Sequence, residues 1–322
     1  MRDARQSSPV MALLLAVVAA GMAVSAFFLP AGQDGTASVL QPDWLSNVLS
    51  LLTLLAVAVS LNYVNSNNFQ FSSDSRLLYL PYLLAVLTFS GAISLTYSHL
   101  AAFLTVWTMY FTLMYVNSEN HRPYYAFMAG LTSSIAALML PPLLYVCAFI
   151  MLYVIFVRGQ ALARLLLSYL SAVALPWVYV SVWYGFFVED GTFRQFLADY
   201  GGGLVPSLPV LSGMELQTAI YLSLLAIIGF RSVVHVVSKG HERNKAQKNA
   251  FGLSAALSVF MLILELLFGG SLPPSSIIVA AVPFSFAVFD FLSNGRRVET
   301  NILLSLLLLA AVLLRVSEFL NF

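Results

Sequence analysis

The sequence predicts an all-α integral membrane protein, a bundle of about eleven transmembrane helices. Three observations carry that expectation. Of 322 residues, 60% are hydrophobic and only 9% charged, whereas a soluble domain carries about 25% charged residues. Many apolar runs reach or approach the roughly 20 residues that cross a bilayer as a helix. The basic residues also collect on one side of the membrane, provided one ambiguous run is counted as two spans. The apolar/polar alternation of a membrane barrel is absent from the sequence.

The chain begins MRDARQSSPV, followed by an apolar stretch from about Val10 to Phe28. Arg2 and Arg5 ahead of it, and Val24-Ser25-Ala26 near its end, resemble a secretory leader. Its apolar part exceeds the roughly 7–15 residues of a leader core. It therefore reads as a retained first span, about 10–30. Further spans are expected at about 45–64, 77–97, 99–116, 164–188, 214–237, 250–268, 276–293 and 301–320. Polar links such as NSNNFQFSSDSR (65–76), NSENHRP (117–123) and NGRRVET (294–300) separate most of them. Between the third and fourth stands only TYSHL, which calls for a tight hairpin.

The ambiguous run extends from Tyr124 to Val157, 34 uncharged residues with Pro141 and Pro142 near the middle. As one helix it would be about 51 Å long at 1.5 Å per residue, against a hydrocarbon core of about 30 Å. Proline lacks an N–H and clashes with the preceding turn. Pro142 also disfavours helical geometry at Pro141. The alternative is two helices, about 124–140 and 143–157, giving eleven spans instead of ten.

Charge decides between them, because cytoplasmic loops carry an excess of Lys and Arg. With eleven spans and the N-terminus inside, Arg194 and Arg315 are the two of 15 basic residues left outside. With one kinked span, everything after 157 flips. The inner side then keeps only Arg2, Arg5, Arg76, Arg122, Arg194 and Arg315 of those 15. The expected arrangement is thus eleven spans, N-terminus inside and C-terminus outside, as a single membrane domain over 1–322.

Ionisable residues at membrane depth are costly and face the bundle interior or a cavity. Glu265 and Arg315 lie at matching depth near the outer ends of their spans, Arg231 and Asp290 near the inner ends of theirs. Two intramembrane charged pairs are expected, Glu265 with Arg315 and Arg231 with Asp290. His235 follows Arg231 at i+4, on the same helix face.

The outer connection EDGTFRQFLADYGGGLVPSLPVLS (189–212) is the longest on its side. Phe193, Phe196 and Leu197 share one helical face, which predicts a short helix from about Thr192 to Tyr200 lying along the membrane. Gly201, Gly202 and Gly203 are expected to end it and to act as a hinge. Trp183, Tyr184, Arg194 and Tyr200 are candidate binding residues for a lipid head group or glycan. Glu189, Asp190 and Asp199 are candidate acid–base carboxylates. The bland alternative is an aromatic belt with a capped loop. The basic loop SKGHERNKAQKNA (238–250) reads first as an orientation signal, and secondly as a contact for anionic lipid.

No Walker loop, GxSxG, HExxH or CxxC motif occurs. One cysteine, Cys147, rules out an internal disulfide. His99 is expected on the opposite side from His121, His235 and His241, so no four-histidine metal site forms. No metal and no cofactor is expected, and a net charge of +1 suggests no nucleic-acid partner.

NYVNSNNFQFSSDSRLLYLPYLL (62–84) and FVRGQALARLLLSYLSAVALPW (156–177) together resemble an uncharacterised family of polytopic inner-membrane proteins of Bacteroidota-like bacteria. The resemblance implies the bacterial inner membrane as location and little about activity. Membrane lipids, other inner-membrane proteins or a lipid-linked substrate are the expected partners. The leading expectation is a non-enzymatic component or assembly factor in envelope glycan or lipid handling. A second reading is similarity to polyprenyl-phosphate-dependent membrane glycosyltransferases, which place an acidic residue in the first outer loop. That loop here carries Asp34 and Asp43 but is much shorter than the family's. A secondary transporter is the third reading, suggested by the broken 124–157 hairpin.

Overall fold

The double proline breaks the long run as its chemistry requires. In the computed structural model one helix closes at Met139, Leu140–Pro142 form a turn, and a new helix starts at Leu143. The structure describes residues 43–69, 79–88, 95–118, 122–158, 162–188, 192–207, 216–238, 243–268, 276–294 and 297–320. The expected first span and Asp34, Glu189 and Asp190 lie outside them.

Eleven α-helices are found among the described residues: α1 (Asp43–Val64), α2 (Tyr79–Leu87), α3 (Tyr97–Asn117), α4 (Pro123–Met139), α5 (Leu143–Arg158), α6 (Leu162–Phe187), α7 (Thr192–Gly202), α8 (Leu216–Ser238), α9 (Lys245–Phe268), α10 (Ile277–Asn294) and α11 (Arg297–Leu320). A π-helical turn, Asn65–Phe69, continues α1. Five helices are long and apolar enough to cross a membrane, over 45–67, 97–117, 163–187, 220–238 and 245–268; three shorter apolar ones cover 143–157, 277–291 and 298–314.

Contacts show which helix ends share a side. Tyr145 at the start of α5 meets Phe268 at the end of α9, ring centroids 5.5 Å apart. At the other end, Asn249 donates to Asn117 (3.0 Å), and the Tyr153 hydroxyl donates to the Asn249 carbonyl (2.8 Å). The helices therefore alternate between a Pro-Pro end and a far end. Arg122, Arg158, Arg164, Arg243, Lys245, Lys248 and Arg297 fall at helix boundaries of the far end.

α4 is the centre of one half, packing most extensively on α3 and α6. It presents Ala126, Ala129, Gly130, Ser133, Ala136 and Ala137, small residues that let neighbouring backbones come close. Hydroxyls then join the helices. Thr108 and Thr132 share a hydrogen bond of 2.8 Å between α3 and α4. Ser134 donates to the Val173 carbonyl of α6 at 2.7 Å. Tyr169 of α6 lies 3.2 Å from Ser133 and donates to the Cys147 carbonyl of α5 at 3.0 Å.

A second polar knot fixes the start of α3. Fully buried His99 accepts the Thr96 N–H on Nδ1 (3.2 Å), the part a glutamate plays in a capping box. That leaves Nε2 to donate to Ser50 of α1 at 2.9 Å. Ser46, one turn away, accepts the Leu95 N–H at 2.9 Å. In the other half, α10 touches α2, α3, α8 and α9, with Phe286 and Phe291 fully buried.

A Cβ at Gly130 would stand 2.7 Å from the Tyr169 carbonyl oxygen, a backbone atom that cannot swing aside. Gly130→Val is therefore expected to force α4 from α6 and to cost about 1–3 kcal/mol, read as a lower unfolding midpoint in detergent. Gly201→Ala, where a Cβ meets nothing within 4 Å, should leave the midpoint unchanged.

Candidate functional site

Two places gather chemically capable side chains. The first is the elbow between α6 and α7 at the Pro-Pro end. As the spacing of Phe193, Phe196 and Leu197 predicts, a helix forms at Thr192 and carries one aromatic face. Tyr184 of α6 lies between Phe193 (5.5 Å) and Phe196 (5.3 Å). Tyr200 closes the row, its ring edge-on to Trp177 at 4.7 Å. Its buried hydroxyl donates to the Ala137 carbonyl at 3.0 Å. Burial raises the Tyr200 phenol above its ordinary pKa, so it stays a neutral donor.

The helix ends in the glycine run, as expected. The helix continues through Gly201 and Gly202, and Gly203 packs on the double proline. A Cβ at Gly203 would lie 2.9 Å from Pro141 Cγ. Tyr145 then donates to the Leu204 carbonyl at 3.0 Å. At Gly203 glycine serves close approach, and the broken turn of the α4–α5 hairpin becomes the seat of α7.

Of the expected binding residues, Tyr184 and Tyr200 join this aromatic row. Trp183 points elsewhere, stacked on Phe187 at 4.8 Å. Arg194 and Asp199 stand exposed on α7. Asp43, expected in a loop, is the first residue of α1.

The second place is at the far end, and here the expected pairing is corrected. Arg231 bonds Glu299 of α11 through Nε and Nη2 instead of Asp290. Asp290, buried, takes Arg243 Nη2 at 2.5 Å. His235 Nε2 lies 3.8 Å from the same carboxylate oxygen. The Arg243 guanidinium lies over the Phe251 ring, 3.8 Å from its centre. An expected depth does not say which face of a helix a charge occupies.

The cue for Glu299 was available: α11 begins at Arg297, so Glu299 stands in its first turn, where an acidic group is favoured. Arg243, read as a loop charge, is drawn in by Asp290 and Phe251 together. Glu265 accepts from Ser276 at 3.0 Å. Its expected partner Arg315 lies on α11, and its side chain is outside the described residues. Among the described residues no three His, Cys, Asp or Glu side chains gather as metal ligands.

Apolar helices of spanning length, joined by buried hydroxyl bonds and interhelical ion pairs, define a helical membrane protein. A family model described as a family of unknown function, DUF6427, matches residues 36–320. The chain belongs to that family. No curated protein and no solved structure matches it.

Breaking a buried ion pair leaves one charge uncompensated. Arg243→Met and Asp290→Asn should each lower stability by about 3 kcal/mol, and the double variant Arg243→Met/Asp290→Leu by less than the sum. Arg231→Met should cost less, because that pair is 44% and 29% exposed. Unfolding in detergent with graded denaturant would rank them.

Proposed function

We propose that the protein is a non-enzymatic component of the bacterial inner membrane, working beside a partner in envelope glycan or lipid handling. One observation carries this reading: an amphipathic helix, α7, is held against a rigid turn at one end of the bundle. Its aromatic side is spent on Tyr184 and Trp177. Its other side offers Arg194, Gln195 and Asp199 to the surroundings, and Leu197, on the border of the aromatic face, is exposed. A helix so fixed is preorganised for docking, since little ordering entropy remains to be lost on binding. Membership of a family of unknown function is compatible with the role.

The same proposal orients the molecule. With the far end in the cytoplasm, the basic boundary residues obey the inside preference of Lys and Arg, and α7 faces the envelope space. Val205 is 62% exposed beside the seat. In a Cys147→Ala background, Val205→Cys should react with an impermeant thiol reagent on intact spheroplasts, and Gln160→Cys should not. Reversed labelling would overturn the orientation.

The partner reading is tested by placing a photo-crosslinking residue at Leu197, which is 44% exposed. A defined protein adduct in living cells is the expected result, lost when Tyr200→Phe and Tyr145→Phe together release the seat. Adducts with lipid alone would overturn it.

A further inference from the structure

α4 and α6 run parallel, and both start at the far end. Two contacts fix their register. Ser134 donates to the Val173 carbonyl, and Gly130 abuts the Tyr169 carbonyl, pairs with one common offset in the chain. The same offset sets Arg164 level with Tyr125, about 4.5 Å of helix rise from Arg122. Nearer the far end the Ser168 hydroxyl donates to the Pro123 carbonyl at 2.8 Å, so the two helix starts stay together.

This junction carries two cations without a counter-charge. Arg122 stands just ahead of α4, extended and exposed, with Pro123 opening the first turn. Arg164 is exposed in the first turn of α6. Neither pairs with a carboxylate among the described residues, unlike Arg231 and Arg243. Arg164, Ser168, Ser171 and Leu175 recur at i, i+4, i+7 and i+11, which lines them along one flank of α6. Leu175 and Val178 beyond them are 52% and 60% exposed. From the far end inward, this flank passes from guanidinium to hydroxyl to bare aliphatic side chain. That is the order of a phospholipid: phosphate, glycerol esters, acyl chain.

We infer that the junction of Arg122 and Arg164 binds the phosphate of one anionic phospholipid, whose acyl chains run along α6. Charge complementarity names this occupant. Guanidinium forks match phosphate oxygens, and basic sites between transmembrane helices recruit anionic head groups. The Ser168 and Ser171 hydroxyl protons are already engaged by the Pro123 and Ser168 carbonyls, at 2.8 and 3.0 Å, so the guanidiniums are the donors. A zwitterionic head group brings its own cation to the arginines and is disfavoured. Charge that only orients a chain needs no fixed spacing between two helices, whereas here a hydrogen bond fixes it. The inference concerns the end of the bundle opposite α7 and does not depend on the docking role of that helix.

The test is native mass spectrometry of the full chain in mild detergent with added phosphatidylglycerol, phosphatidylcholine or inorganic phosphate. One phosphatidylglycerol should stay bound per chain, at least fivefold more often than phosphatidylcholine. Arg122→Gln and Arg164→Gln should each cut that occupancy at least fivefold, while the unfolding midpoint without lipid holds. Lys248→Gln, which removes an exposed charge at the same end, should leave it unchanged. An equal loss with Lys248→Gln would overturn the inference in favour of diffuse charge attraction. Equal retention of phosphatidylcholine would overturn it in favour of an unselective apolar surface. Displacement of the lipid by inorganic phosphate would overturn it in favour of a site for free anions.

Discussion

The close approach of α4 to its neighbours is the constraint on which this half of the bundle depends. Apolar burial does not favour one helix contact over another within lipid, because the chains of the bilayer are as apolar as the side chains. Selection falls instead to shape and to polar groups that need partners. At α4 both act on the same surface. Gly130 lets the Tyr169 backbone come within contact, and Thr132, Ser133 and Ser134 find hydroxyls and carbonyls on α3 and α6. Unpaired in hydrocarbon, each such group would carry a cost of several kcal/mol. Sliding α4 by one turn would part Ser134 from the Val173 carbonyl, whereas Thr132 and Ser133 would keep their bonds to carbonyls of their own helix.

Much of this fold was legible before any coordinates. Pro141 and Pro142 announce their turn through the missing N–H and the steric demand on the preceding residue. The 3.6 periodicity of Phe193, Phe196 and Leu197 announces α7. Residue-to-residue pairing across helices was not legible. Arg231 and Asp290 were expected at one depth, yet they pair with Glu299 and Arg243, because rotation about the helix axis follows from the whole packing. Gly203 was read as freedom because glycine permits many backbone conformations. It is a contact because Pro141 occupies the space a side chain would need. Both meanings fit the same letter, and only the neighbour distinguishes them.

The histidines show the same dependence on surroundings. His99 lies fully buried with both ring nitrogens engaged, one by Thr96 and the other by Ser50. His235 borders an ion pair and the edge of Phe291, with ring centroids 5.7 Å apart. The first is a capping group in a buried site. The second lies beside a carboxylate already neutralised by a guanidinium. Neither arrangement resembles a metal shell, and their separation follows from the alternation of helix ends.

The position of α10 in the contact pattern bears on how the molecule is made. It covers α2 and α3, encoded some two hundred residues earlier, and the phenol of Tyr82 on α2 is fully enclosed. During synthesis the α3–α6 group can assemble from consecutive segments as they leave the translocation channel. α2 must wait beside it with one flank facing lipid until the last third of the chain arrives. The nascent protein thus has an early, self-sufficient half and a late closure. The interval between them is the time in which a membrane chaperone or a protease would meet its exposed flank.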